Sequence, residues 1–174
     1  PAAALADSVV GLLGGHVAQE GDRGLDHGAY VPLVEMFPDA DIPVLQLSMP
    51  TLDPATLFDI GAALAPLRDE DVLIIGSGFT THNLGMIDLS AGWDQPAPAW
   101  SLEFDAWAEQ AMAAHDVDAL LDFLAKAPAG HLAHPRTEHF APLFVALGAA
   151  QQAGSRSVID GFWGGLSKRS WQLD

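Results

Sequence analysis

Seven histidines stand against seven Lys plus Arg in this 174-residue chain, and there is no cysteine. Thiolate nucleophiles, disulfides and Cys-based zinc or iron–sulfur sites are therefore excluded, which leaves imidazole and carboxylate as the metal ligands and proton carriers. The densest group is His131-Leu-Ala-His-Pro-Arg-Thr-Glu-His139, three histidines with an Arg and a Glu in nine residues. Pro135 favours an extended approach, and Thr137 is placed to cap a helix beginning near Glu138. A helix N-terminus beside His139 disfavours the imidazolium and keeps a neutral ring, the form that a metal takes. His134 and His139 are five residues apart, so they converge only if the chain turns between them.

The second group is Ile75-Gly-Ser-Gly-Phe-Thr-Thr-His82-Asn83. It reads as a buried strand running into a glycine turn, the place where functional groups gather in open α/β sheets. Gly76 and Gly78 allow a backbone or a ligand to come close, but the run does not match the G-x-G-x-x-G phosphate fingerprint. In a third group, Asp26-His27-Gly28, a tight turn presents His27, and Asp26 is available to orient the ring or raise its pKa. The alternative for His27 is a solvated turn histidine, the reading given to His16 and His115. No HExxH and no G-x-S-x-G occurs, so neither a zincin helix nor a hydrolase nucleophile elbow is present.

These groups need elements to hold them. Ala3–Leu13 reads as a helix stopped by Gly14-Gly15. Asp41–Met49 alternates like a strand. Asp53-Pro54 is an N-cap followed by a first-turn proline, with Leu57, Ile60, Leu64 and Leu67 on the apolar face of the helix that follows. Asp71–Gly76 is continuously apolar, as expected of a strand buried on both faces. Ser101–Ala114, Asp116–Lys126 and Glu138–Ala150 read as helices and Ser157–Phe162 as a last strand, with Ala91–Ala99 a surface loop. Trp93, Trp100 and Trp107 recur every seven residues but begin in a Pro-rich loop, which favours core packing or a pocket wall over a coiled-coil seam. Alternating strands and helices make the class α/β, with a central, mostly parallel or mixed sheet flanked by helices.

Composition bounds the rest. With 49% hydrophobic residues the chain can bury a core, and its net charge of −16 argues against a nucleic-acid binder, which needs Lys and Arg. The stretch Pro1–Gly15 lacks a basic n-region, no run is long enough for a transmembrane helix, and a cytoplasmic location is the default expectation. A homo-oligomer is left open.

In order, RGLDHGAYVPL, IPVLQLSM, GSGFTTHNL, HPRTEHFAPL and GFWGGLSKRSW resemble the class III extradiol ring-cleavage dioxygenases of the LigB superfamily, in the branch similar to 4,5-DOPA dioxygenase. The resemblance runs from about Arg23 to Trp171. It implies an α/β fold around a central sheet, and one ferrous iron, or zinc in some forms. It also implies insertion of both atoms of O₂ into a catechol, a small aromatic diol, beside its hydroxyls. By the same resemblance His139 is a metal ligand, His82 is the acid/base or a further ligand, and His27 is a histidine near substrate and O₂. His134, Asn83 and Arg136 are the substrate-side candidates. Glu138 is the alternative ligand to His139. Arg136 or Arg23 could hold a substrate carboxylate, or form only a surface ion pair. By the resemblance, family members carry a first metal histidine in an N-terminal His-Gly segment and a second after it, before the DHGA block; this sequence shows neither, so residues 1–174 are expected to be the C-terminal portion of one catalytic domain. A metal-free or zinc-bound module, inactive or acting as a hydrolase or lyase, is the competing expectation.

Overall fold

A computed structural model describes residues 2–174; Pro1, which opens the N-terminal apolar stretch, lies outside them. The helices are α1 (Ala2–Leu12), α2 (His27–Met36), α3 (Pro54–Leu64), α4 (Ala99–Ala113), α5 (Val117–Leu121), α6 (Phe123–Lys126), α7 (Gly130–Ala133) and α8 (Pro142–Ala150). Four strands follow: β1 (Ser155–Ile159), β2 (Phe162–Trp163), β3 (Leu166–Ser167) and β4 (Ser170–Leu173).

Local chemistry explains the best-formed elements. Asp53 caps α3 by accepting the Thr56 N–H at 2.8 Å, and Pro54 supplies a preset φ with no N–H to lose. Asp116 does the same for α5 through Ala119. Arg68 reaches the last carbonyls of α8, Ala149 and Ala150, and also Leu173 of β4, so one cation closes a helix C-terminus and ties down the chain end. Gly164 and Gly165, at φ +59° and +84°, give the β2–β3 hairpin the paired positive φ of a type I′ turn.

The core is aromatic. Phe104, Phe123, Phe140 and Phe144 are fully buried with Leu57, Met112, Leu120 and Leu147. Trp100 joins it and Trp107 packs against it, while Trp93 stacks flat on Trp163 at 4.0 Å outside it. A smaller cluster gathers Val9, Leu64 and Leu67 with Leu5, Leu12, Leu47, Val72 and Ile74. Helices α3 and α8 share the most extensive contact of any two elements. At their crossing a Cβ on Gly61 would lie deep inside the van der Waals envelope of the Val145 carbonyl, and one on Gly148 inside that of Phe58.

The sheet expected at the centre is not there among the described residues. They form two antiparallel two-stranded ribbons, β1–β4 and β2–β3. Asp41–Met49 and Asp71–Gly76 are not strands, because a strand exists only with a hydrogen-bonded neighbour and neither segment has one among the described residues. Their side chains still alternate: Leu47, Val72 and Ile74 turn inward, whereas Leu45, Leu73 and Ile75 are exposed, so the second segment is covered on one face rather than both. Alternation reports a covered face, not a paired edge. Val31, Val34 and Met36 of α2 are exposed as well. The chain accordingly shows 10050 Å² of surface, where a compact monomer of its mass would show about 8,100 Å².

Two helices also differ from expectation. Asp116–Lys126 is broken at Asp122 into α5 and α6. The helix read from Glu138 starts instead at Pro142, and Thr137 gives no side-chain cap; its carbonyl accepts the Phe140 and Ala141 N–H groups in a separate turn. Pro142 has no N–H to carry that turn's bonding into the helix and so becomes its first residue.

Replacing Gly148 by Ala forces α3 and α8 apart. Chemical denaturation is expected to show a loss of about 1–3 kcal/mol, the usual cost of overpacking; an unchanged midpoint at unchanged slope would rule out the close crossing.

Candidate functional site

Two backbone stretches meet to form the site. Gly76 and Gly78 lie against Pro142 and His139 so closely that a Cβ on either would collide with a carbonyl, and the Phe79 N–H donates to the His139 carbonyl at 2.8 Å. The glycine turn thus admits a neighbouring backbone. The Ser77 hydroxyl donates to the Gly28 carbonyl and draws the start of α2 to the same place. Beyond Phe79 the chain is fixed by the His82 N–H on the Ala133 carbonyl at 3.0 Å and by the Asn83 amide on the Leu132 carbonyl at 2.6 Å.

The result is a stacked pair of imidazoles. The rings of His82 and His139 lie with centroids 3.5 Å apart and planes at 21°, with Phe79 tilted against one and edge-on to the other. Burial, and then the neighbouring His139, hold His82 below the ordinary histidine pKa against the pull of Glu138. Burial also lowers His139; Glu138 opposes it, and His27 and Arg136 add to it. Both rings are held toward the neutral form, ready to accept a proton or a Lewis acid.

The remaining candidates occupy different surroundings. His27 is the first residue of α2 rather than part of a tight turn, and it is exposed. Asp26 does not serve its ring: one carboxylate oxygen accepts the Ala29 N–H at 3.0 Å and the other the Gln46 amide at 3.1 Å. His134 is buried in the aromatic core, 5.0 Å from Phe104 and 5.1 Å from Phe140 between centroids. Its Nε2 lies 2.8 Å from the Thr80 carbonyl, so Nε2 carries the proton, and Nδ1 is buried without a partner. Burial drives its pKa down to about 4. Arg136 is exposed and pairs with Glu138 at 3.1 Å; the other Glu138 oxygen is buried and unpartnered. Arg23, His16 and His131 are exposed. His115 and its positive φ of 52° belong to a separate open concavity of about 500 Å³ with Phe58, Gln151 and Gln152.

A mononuclear iron or zinc site takes about three protein ligands. Among the described residues no group of three or more His, Asp or Glu is assembled to hold an ion. The stacked pair offers two imidazoles, fewer than such a centre takes. The described residues therefore do not fit a complete metal centre by themselves.

Thr81, Ser101, Asp105, Ser167 and Arg169, none of them among the residues expected at the site, lie behind the His82 turn in a connected polar cluster. One signal was available: Ser101, Asp105 and Glu109 recur every four residues, a polar stripe along α4.

Residues 5–162 match the family model described as the catalytic LigB subunit of aromatic ring-opening dioxygenase, and the chain belongs to that family. It is 46% identical over 167 residues to a 4,5-DOPA dioxygenase extradiol of Beta vulgaris, covering 92% of this chain and 61% of the relative. It is 36% identical to the protein of that name from Escherichia coli, over 72% of this chain and 47% of the relative. A crystal structure of an uncharacterized Escherichia coli K12 protein superposes with a TM-score of 0.87 at 33% identity, covering 99% of this chain and 72% of that one. The chain spans about half to three-fifths of the length of the curated relatives it matches. No helix among the described residues is long and apolar enough to cross a membrane.

The depressed pKa of His134 has a consequence for stability. Its folded value of about 4 lies below the unfolded 6.5, so between them the unfolded chain binds the extra proton. Stability from this group is complete above about pH 6.5 and is lost as the pH falls toward 4, by roughly 3 kcal/mol in all. Urea denaturation from pH 7.5 to 4.5 is expected to show a shallower decline in His134→Gln than in the parent; parallel curves would contradict a neutral buried ring.

Proposed function

We propose that this chain takes part in the extradiol opening of a catechol-type ring by O₂, and that His82 and His139 are its working groups. The resemblance implies one ferrous ion, or zinc in some forms; the ferrous ion would supply electron transfer between catechol and O₂, which redox-inactive zinc would not. The carrying observation is the stacked, half-buried imidazole pair on a chain of the LigB family. The names of the relatives support the same reaction class.

The chemistry of the residues follows from their protonation. A catechol hydroxyl must lose a proton before its oxygen can push electrons into the ring. His82, kept neutral by burial and by its neighbour, accepts that proton and returns it as the ring opens. Both oxygen atoms of O₂ end in the product, and the bond broken is the ring C–C bond next to the diol. Phe79 presents an apolar surface against both imidazoles that keeps water from them. His27, exposed and close enough to His139 to lower its pKa, would donate a hydrogen bond to oxygen as it is reduced. Arg136, exposed and paired with Glu138, would hold a substrate carboxylate by exchanging Glu138 for it.

Oxygen uptake with a catechol, run beside metal analysis, tests this reading. Consumption of O₂ with a yellow ring-opened product is expected in a protein loaded with iron. His82→Ala is expected to lower turnover about 10²–10⁴-fold, the usual contribution of a general acid/base. Turnover equal to the parent would remove His82 from the reaction. Bound zinc without O₂ uptake would point to a hydrolase or lyase, and neither metal nor uptake to a binding module.

A further inference from the structure

The residue before His82 is locked into a polar chain that crosses the molecule. Thr81 is completely buried, as are Ser101 and Ser167. The Thr81 Oγ1 accepts the Ser167 N–H at 2.8 Å and shares a hydrogen bond of 2.8 Å with the Ser101 hydroxyl. The Ser167 hydroxyl donates to Asp105. Asp105 also takes two bonds from Arg169, at 2.8 Å from Nε and 2.7 Å from Nη2. Arg169 continues through Nη1 to Glu109 at 3.2 Å and the Ser157 hydroxyl at 3.0 Å, and its own carbonyl accepts the Thr80 hydroxyl at 3.0 Å.

The geometry of this chain is fixed at both ends. One end is α4, where Ser101 and Asp105 stand one turn apart on the same face. The other is the stretch from the β2–β3 hairpin to β1 and β4, which supplies Ser167, Arg169 and Ser157. A bidentate guanidinium–carboxylate pair shielded from water has one well-defined arrangement, and groups bonded to it inherit that definition. Thr81 is the last member before the site. Its side chain turns into the protein, and that of His82, the next residue, lies against His139.

We propose that Thr81 is the positioning residue of the site: its hydroxyl, held between Ser101 and the Ser167 amide, fixes the chain so that the His82 ring stacks on His139. Thr81 touches neither substrate nor reacting atoms in this role. It acts through the direction in which the chain leaves it. This rests on the reading of His82 as the acid/base for its functional meaning, but the ring placement itself is measurable without any turnover.

The experiment is nuclear magnetic resonance on the full chain with labelled histidine side chains. The parent is expected to show cross-relaxation between the ring protons of His82 and His139. Thr81→Val, nearly the same shape without the hydroxyl, is expected to lose it, and Thr81→Ser to restore it. Near-ultraviolet circular dichroism of the Trp93–Trp163 stack reports whether the variant is folded. Should Thr81→Val not fold, Ser101→Ala removes one of the two partners and is expected to weaken the same signal. A folded variant of either kind that keeps the parental signal overturns the proposal. Where the parent turns over catechol, Thr81→Val is expected to lower kcat by about 10²-fold with KM unchanged, the cost of a misplaced group, and Thr81→Ser to recover it. Ring contacts that respond as stated in a parent that turns over no catechol would support the positioning and sink the dioxygenase reading alone.

Discussion

Two stretches of backbone touch with no side chain between them, and the site depends on that contact. Gly76 and Gly78 lie on the carbonyls of Pro142 and His139, and the Phe79 amide bonds across. Any larger residue at either glycine would hold the turn before α8 away from the turn that carries His82. The two histidines are 57 positions apart in the chain, 139 − 82. This close approach brings them together. Their lowered pKa values follow from it, because packing takes both rings partly out of water and places one against the other.

The second support is electrostatic. In a chain of net charge −16 with seven Lys and Arg, Arg169 is spent almost wholly on the interior, bound to Asp105 and Glu109. Side-chain bonds and surrounding carboxylates raise its pKa, so its charge is permanent at any pH the protein meets. A permanent charge pair makes a good anchor because it has no alternative state to relax into. Arg68 works in parallel, closing α8 and β4 with one guanidinium. Arg169 ties the C-terminal ribbons to α4, and Arg68 ties β4 to α8, whose first residue closely follows the turn that carries His139.

Elements governed by local rules were legible in the sequence. Asp53-Pro54 announces α3, Gly14-Gly15 ends α1, and the apolar spacing of α4 names Phe104 as core. The glycine turn and the histidine-rich segment also stood out as chemistry-bearing, and the five ordered blocks carried the family. Properties that depend on partners were not legible. Asp71–Gly76 has the composition of a strand, but pairing is decided by what lies beside it. The start of α8 at Pro142 depended on a turn whose hydrogen bonds run to Thr137 and not on any capping side chain. His134 looked like the other histidines in its segment, and only the three phenylalanines around it separate it from them. The polar stripe on α4 was visible as a spacing, yet its meaning lay in Arg169, more than 60 residues away.

The crossing of α3 and α8 has a reach beyond its own packing. Gly61 and Gly148 are reciprocal: the space each leaves is filled by the other helix's backbone. The two positions therefore behave as one. Either helix can seat only as deeply as the less accommodating of the two allows. Because α8 is short and stiff, a change of seat at Gly148 tilts the whole rod, and Pro142 at its other end bears on Gly76. The crossing is thus a fulcrum, and the histidine site sits at the tip of the lever. The alignment of the imidazoles thus draws also on a joint that contains no ionisable group.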